Sequence, residues 1–392
     1  VSLRLLSLPL LWSGLALGPA LAAAEPFNPE AALQRAVEAL REGQRQRALD
    51  ELQALTVREP TFRIAHWLYG DLLALRAGRP VQVPLRDNDL DTLTSLNDEI
   101  ALRLAADAAV PAPGQVPNAV MALAERHRHV VVVDLTRARL FVMENRGGEL
   151  VLLRHHYASI GRNGSRKEVE GDLRTPVGVY HVTQWLPDGQ LPELYGAGAF
   201  PVSYPNAWDR FKGRTGYGIW LHGVPRTTYA RAPRSSEGCV TMANLDLEAL
   251  RQEVEIGQTP VIFSDELAWV STEAAAAERL AWQQRIEDWR SRWSAVDTEA
   301  YLDYYHPEFT TTGMNRAQFD AHKRRVNQGK TFIDVQLDDL NLWRYPGADE
   351  PMVLAEFTQH YRSNNFASST QKQQFWRQDA DGEWRIFREV NR

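Results

Sequence analysis

Val130-Val131-Val132-Val133-Asp134-Leu135 is where the chain changes its grammar. Upstream, apolar residues recur at three- and four-residue steps, the period of a helix; from this run onward they gather in short β-branched stretches separated by turns. Arg139 to Met143 and Leu150 to Tyr157 are the next two strand-like runs, with Asn145-Arg146-Gly147-Gly148 turning between them. Gly161-Arg162-Asn163-Gly164 reads as a turn, and Thr175-Pro176-Val177-Gly178-Val179-Tyr180 as a loop that feeds a strand. Leu245 to Val254 is one of the few helical stretches, and Val261-Ile262-Phe263 suits a closing strand. Residues 128–265 are therefore expected to form a mostly β domain.

Working back from that run, residues 25–113 are helical in pattern. Leu33, Ala36, Val37 and Leu40 keep to one face, Arg41-Glu42-Gly43-Gln44 is a polar turn, and Ala48, Leu49, Leu52 and Leu55 repeat at helical spacing up to Pro60. Arg63 to Leu75, with Trp67, Leu68, Tyr69 and Gly70, looks like the first helix of a tetratricopeptide-type unit. One or two such units cannot build a solenoid, because each needs a neighbour to bury its face. The segment is expected either to dock or dimerise, or simply to cap the next domain. Val110-Pro111-Ala112-Pro113-Gly114 marks its end.

Working forward, residues 270–392 begin with Trp282, Ile286, Trp289 and Trp293 at four-, three- and four-residue steps, one apolar stripe on one helix. That stripe reads as core rather than as a ligand box. Tyr301 to Tyr305 suggests a second helix. Strands are expected at Phe332 to Leu337, Leu340 to Arg344, Met352 to Ser363, Thr370 to Gln378 and Trp384 to Val390, with Asp381-Gly382 turning the last hairpin. Helices followed by a curved antiparallel sheet make an α+β cone with a concave pocket.

Residues 1–24 read as a signal peptide: Arg4, an apolar run from Leu5 to Leu21, then small residues around Ala22. The expected address is the periplasm. About 370 residues follow, room for two or three domains. A net charge of −6 gives no support for nucleic acid as a partner. No CxxC, HExxH or zinc-type spacing occurs, so neither a metal nor a cofactor is expected.

The chain has one cysteine, Cys239, in Ser236-Glu237-Gly238-Cys239-Val240, seventeen residues after His222. A single thiol cannot form an internal disulfide, and in an oxidising compartment it is a liability unless it reacts or is buried. A thiolate is the attacking form, and an imidazole can generate it. His222 and Cys239 are spaced so that a loop can fold back and bring the ring beside the sulfur. Gly223 permits close packing, and its carbonyl could fix the ring tautomer. Gly238 permits a tight turn, and the N–H groups of Gly238 and Cys239 could face an oxyanion. Ser236 could bond either to that loop or to the histidine. The reaction class is acyl transfer through a thioester.

These residues resemble the YkuD-type L,D-transpeptidase family, whose signature is a His-Gly pair, a loop of about this length, then Ser/Thr-x-Gly-Cys. His222-Gly223 and Ser236-Glu237-Gly238-Cys239 match it, and Thr175-Pro176-Val177-Gly178-Val179-Tyr180, with Gly171-Asp172 ahead of it, matches a further family element. The resemblance implies a periplasmic enzyme acting on peptidoglycan stem peptides, with Cys239 as nucleophile and His222 as base. Two positions depart from the pattern. Glu237 stands where many members carry His, and Thr241 where many carry Arg; Arg226, Arg231 or Arg234 could supply the missing guanidinium.

The order of helical segment, YkuD-like core and SnoaL-like cone is similar to the cell-shape L,D-carboxypeptidases. That implies removal of the terminal D-alanine from a tetrapeptide stem, a homodimer through the N-terminal helices, and an unidentified ligand or partner in the cone. The alternatives are an L,D-transpeptidase, in which an amine resolves the thioester, and a non-catalytic peptidoglycan-binding scaffold. The β-rich core disfavours a papain-type peptidase. Candidate substrate contacts are Tyr217 and Trp220, which read first as core or groove-wall packing, with Arg234, Thr241 and Lys167; Lys167 and Arg174 read first as solvated loop charges.

Overall fold

In the computed structural model, residues 27–79, 89–105 and 109–392 are described; the expected signal peptide, 1–24, lies outside them. The N-terminal part is four helices, Pro29–Arg41, Arg45–Arg58, Arg63–Arg76 and Asp89–Leu104. Asn28 caps the first by accepting from the Ala31 N–H at 3.1 Å. No helix among the described residues is long and apolar enough to cross a membrane.

The quoted valine run becomes the strand His129–Asp134, central in a five-stranded sheet of order Glu149–Tyr157, Arg139–Arg146, His129–Asp134, Pro260–Ser264, Gly178–His181. Successive side chains of a strand alternate between faces, and both faces of this one are covered. Val131 and Val133 join Leu140, Val142, Val261 and Phe263 in the core of the β domain. Val130 and Val132 join Phe141, Met143 and Ile262 in a second core, shared with Trp343, Met352, Leu354 and Phe375 of the cone. An unbroken apolar run is what a strand buried on both sides requires. A second sheet, Val240–Thr241, Trp220–His222, Gly198–Pro201 and Leu186–Pro187, closes the first core from the other side.

The cone is a seven-stranded sheet with the helices Thr272–Ser294, Thr298–Leu302 and Arg316–Asn327. Trp282, Ile286, Trp289 and Trp293 are buried in its core, as their spacing predicts. Two features differ from the sequence reading. The runs expected as two strands around 332–344 form one strand, Ile333–Arg344, with a register shift between Asp338 and Asn341, where Asp339 has φ +58°. The helix expected to reach Tyr305 ends at Leu302, and Tyr305 begins a strand. After the Pro/Ala/Gly stretch, Gln115–Pro117 pairs with Trp269–Ser271, and Val120–Ala122 adds an edge strand to the cone.

The helical segment packs against the β domain. Phe62 packs on Tyr229 with ring centroids 4.2 Å apart, and Tyr229 N–H donates to the Thr61 carbonyl at 3.2 Å. Arg103, buried between Glu30 and Glu99, lies over the Tyr157 ring at 3.7 Å. Tyr229 belongs to the loop between His222 and Cys239, so these helices hold that loop from behind.

Candidate active site

Trp220–His222 and Val240–Thr241 pair in parallel, Leu221 opposite Val240 and His222 opposite Thr241. Continuing that register sets Cys239 across from Trp220, so Trp220, His222, Cys239 and Thr241 share one face of the sheet. The loop between the strands thus returns the cysteine beside the histidine. His222 is 3 % exposed. Its Nδ1 lies 2.7 Å from the Gly223 carbonyl, which can only accept, so Nδ1 carries the proton and Nε2 is the basic nitrogen. Tyr195 stands edge-on to the imidazole at 4.9 Å and tilted against Trp220 at 4.9 Å, forming an aromatic wall.

Gly223 is required by crowding: a Cβ there would fall on Asn244 Oδ1. That side chain ties the histidine strand to its neighbour. Asn244 Oδ1 accepts from Ala197 N–H at 2.9 Å and Val224 N–H at 3.1 Å, while Nδ2 donates to the Val224 carbonyl at 2.8 Å. Neither Asn244 nor Tyr195 was singled out from the sequence. Tyr195 acts from another part of the chain, and Asn244 lies just past the strand Val240–Thr241, with no motif to mark either.

The turn before the cysteine is locked by side chains. Ser236 Oγ donates to the Cys239 carbonyl at 2.5 Å and accepts from the Gly238 N–H at 3.1 Å. Thr175, fully buried, donates to the Gly238 carbonyl at 3.0 Å and accepts from Gly161 N–H at 2.9 Å. Gly238 has φ +126°, and a Cβ on it would approach Arg174 O at 2.8 Å. These bonds correct one expectation and resolve another. The Gly238 N–H is committed to Ser236, so it does not face an oxyanion. Ser236 serves the loop and not the histidine. Because a trans peptide sets C=O and N–H on opposite sides, anchoring the Gly238 carbonyl on Thr175 aims the Cys239 N–H away from Thr175.

Cys239 is half-buried, and its thiol donates to the Gly218 carbonyl at 3.4 Å. Burial pushes the thiol up to about 11, against the pull of the Trp220 backbone amide and the Arg231 guanidinium. Burial likewise drives His222 down to about 4, opposed by the Gly223 carbonyl. At neutral pH the resting pair is thus a neutral thiol and a neutral imidazole.

The remaining candidates divide. Trp220 lines the wall beside His222. Tyr217 is 78 % exposed, next to the Gly218 that receives the thiol. Thr241 is buried beside His222 on that face, its backbone bonded to Ser159 in both directions at 2.8 Å and its Oγ1 without a partner among the described residues. Lys167 is neither solvated nor open to a ligand: it is 4 % exposed, with Nζ bonded to Asp172 at 2.7 Å and to the Val169 carbonyl at 2.9 Å. It rivets the loop that carries Gly171-Asp172. Arg234 lines a different cavity, with Asp98 of the helical segment and Thr136. Among the described residues no three His, Cys, Asp or Glu side chains gather as a metal site.

Residues 128–263 match the YkuD L,D-transpeptidase catalytic domain, and residues 281–390 the Cds6 C-terminal NTF2-like domain. The chain is an L,D-transpeptidase-family enzyme. The structure is similar to that of Bdellovibrio bacteriovorus Bd1075, at 28 % identity and a TM-score of 0.62 over 71 % of this chain and 98 % of that one. It is also similar to the helical cell shape determining protein Pgp2 from Campylobacter jejuni, at 27 % identity and a TM-score of 0.58 over 69 % of this chain and 94 % of that one. A search of curated proteins found no match. The cone expected from the sequence is accordingly an NTF2-like domain in this L,D-transpeptidase-family, peptidoglycan-modifying enzyme.

Proposed function

We propose that the enzyme is a periplasmic L,D-carboxypeptidase that removes the terminal D-alanine from peptidoglycan tetrapeptide stems through a thioester on Cys239. The observation that carries this reading is the parallel register that sets Cys239 and His222 on one face while the Gly223 carbonyl holds Nδ1 and leaves Nε2 basic. As Sγ attacks the carbonyl at the L-centre of diaminopimelate, His222 Nε2 takes the thiol proton. The Cys239 N–H meets the oxyanion. Collapse breaks the C–N bond, and the same proton passes from Nε2 to the departing amine. Water then attacks the thioester, gives its proton to Nε2, and the carboxylate leaves with the thiol restored. Starting from a neutral pair, the proton moves during attack and not before it.

Hydrolysis is preferred to cross-linking because this chain is similar to the helical cell shape determining protein Pgp2 over 94 % of that protein, and the order of domains resembles the cell-shape L,D-carboxypeptidases. The test is to incubate the protein, and Cys239→Ala beside it, with disaccharide-tetrapeptide and to weigh the products. Tripeptide lacking one alanine, absent with the variant, is expected. Cross-linked dimers or exchange of the terminal residue would make it a transpeptidase. No turnover by folded, reduced protein would leave the scaffold reading.

A further inference from the structure

Three arginines occupy the loop between His222 and Cys239, and their surroundings differ. Arg226 is exposed and forks onto Asp188 at 2.7 Å and Glu193 at 3.0 Å. Arg234 lines the separate cavity beside Asp98. Arg231 is half-buried and makes no ion pair among the described residues; its guanidinium has one hydrogen bond, Nη2 donating to the Leu194 carbonyl at 3.2 Å. Leu194 precedes Tyr195, the ring that stands against both Trp220 and His222. Arg231 therefore sits at the aromatic wall of the catalytic face. Its backbone carbonyl is held by the Tyr157 hydroxyl at 3.0 Å, which fixes the point from which the side chain reaches.

A guanidinium offers five N–H donors in a planar fork that fits a carboxylate. Arg231 is half-exposed, so the donors that the Leu194 carbonyl does not take are open to an incoming anion. Burial pulls this guanidinium below the ordinary arginine range, against the fields of Cys239, Tyr195 and Glu237. Glu237, the one of these that is a carboxylate, is exposed and sits 3.6 Å from Arg162.

We propose that Arg231 receives the free α-carboxylate of the leaving D-amino acid and so restricts the enzyme to stems that end one residue beyond the scissile bond. This rests on the carboxypeptidase reading.

The test compares a tetrapeptide ending in D-alanine with its C-terminal carboxamide, using the wild type, Arg231→Gln and Arg231→Lys. Wild type should prefer the acid in kcat/KM by on the order of 10- to 100-fold, the range of a charge-assisted hydrogen bond. Arg231→Gln should bring that ratio to near one, and Arg231→Lys should restore part of it. A residue that merely holds the Leu194 carbonyl would slow acid and amide by the same factor, which overturns the assignment. The same two peptides are titrated calorimetrically into Cys239→Ala with and without Arg231→Gln. Acid-selective binding that vanishes with Arg231→Gln supports the assignment even if the wild type releases no D-alanine, in which case only the carboxypeptidase reading falls. Turnover with equal acid and amide rates sinks the assignment and leaves that reading standing. A peptide amidated only at the diaminopimelate side-chain carboxylate should behave as the parent; loss of discrimination there would place the contact elsewhere and overturn it.

Discussion

The catalytic edge and the seam against the cone each contain a buried histidine, and burial drives both down to about 4. His222 bonds through Nδ1 to Gly223 and keeps Nε2 for the face it shares with Cys239. His181, in the strand Gly178–His181, has its Nε2 3.4 Å from Arg392 and 3.9 Å from Glu356, and lies near His127. Glu356 is itself bound by Trp343 Nε1 at 2.8 Å and Gln373 at 2.7 Å. The same residue type with the same shift therefore does different work. A depressed imidazole marks burial; an uncommitted nitrogen on a nucleophile's face marks chemistry.

The largest effect should come from exchanging the two. His222→Gln should lower kcat/KM by roughly 10²- to 10⁴-fold, the contribution of a positioned general base. His181→Gln should stay within a few-fold of wild type. Equal losses would erase the distinction between the two regions. At the seam, Glu356→Ala leaves the Trp343 and Gln373 donors without their acceptor and should cost about 2–4 kcal/mol in urea unfolding. Activity per folded molecule should be retained.

Acid should strain both histidines in the same direction. Their folded values lie below the unfolded value near 6.5, so between about pH 6.5 and 4 the unfolded chain binds more protons. The stability present above pH 6.5 is therefore lost as pH falls toward 4, by up to ~3 kcal/mol for each histidine. Melts at pH 7.5 and 4.5 should show this loss, and His181→Gln should lose less than the wild type. An unchanged gap would contradict the burial account of His181.

The strands of the candidate site were readable because their signals are local: His222-Gly223 and Ser236-Glu237-Gly238-Cys239 carry the turn and the proposed nucleophile within a few residues. What the sequence could not show is what holds them. Asn244 reaches Ala197, and Thr175 reaches Gly238, bonds that span 47 and 63 residues. The valine run announced a strand but not that its two faces meet different domains. In the cone, the long strands were visible from their alternation. The helix Arg316–Asn327 was missed although Asn315 and Gln318 form its capping box. The edge strand Val120–Ala122 was missed because its partner lies more than two hundred residues away.

Two smaller effects test that hidden support. Asn244→Ala removes three hydrogen bonds behind His222 and should cost about 1–3 kcal/mol of stability together with roughly a tenfold loss of kcat, KM moving little. Thr241→Val replaces a buried hydroxyl that has no partner, so its melting curve should shift by less than about 1 kcal/mol in either direction. A large destabilisation would mean that the hydroxyl has an essential bond.

The most direct measurement is intact-protein mass spectrometry of enzyme quenched in acid during turnover of the tetrapeptide. The account predicts an adduct equal to the substrate less D-alanine, localised by peptide mapping to Cys239 and absent from Cys239→Ala. Tripeptide produced at full rate by Cys239→Ala, or an adduct mapped to any other residue, would contradict it.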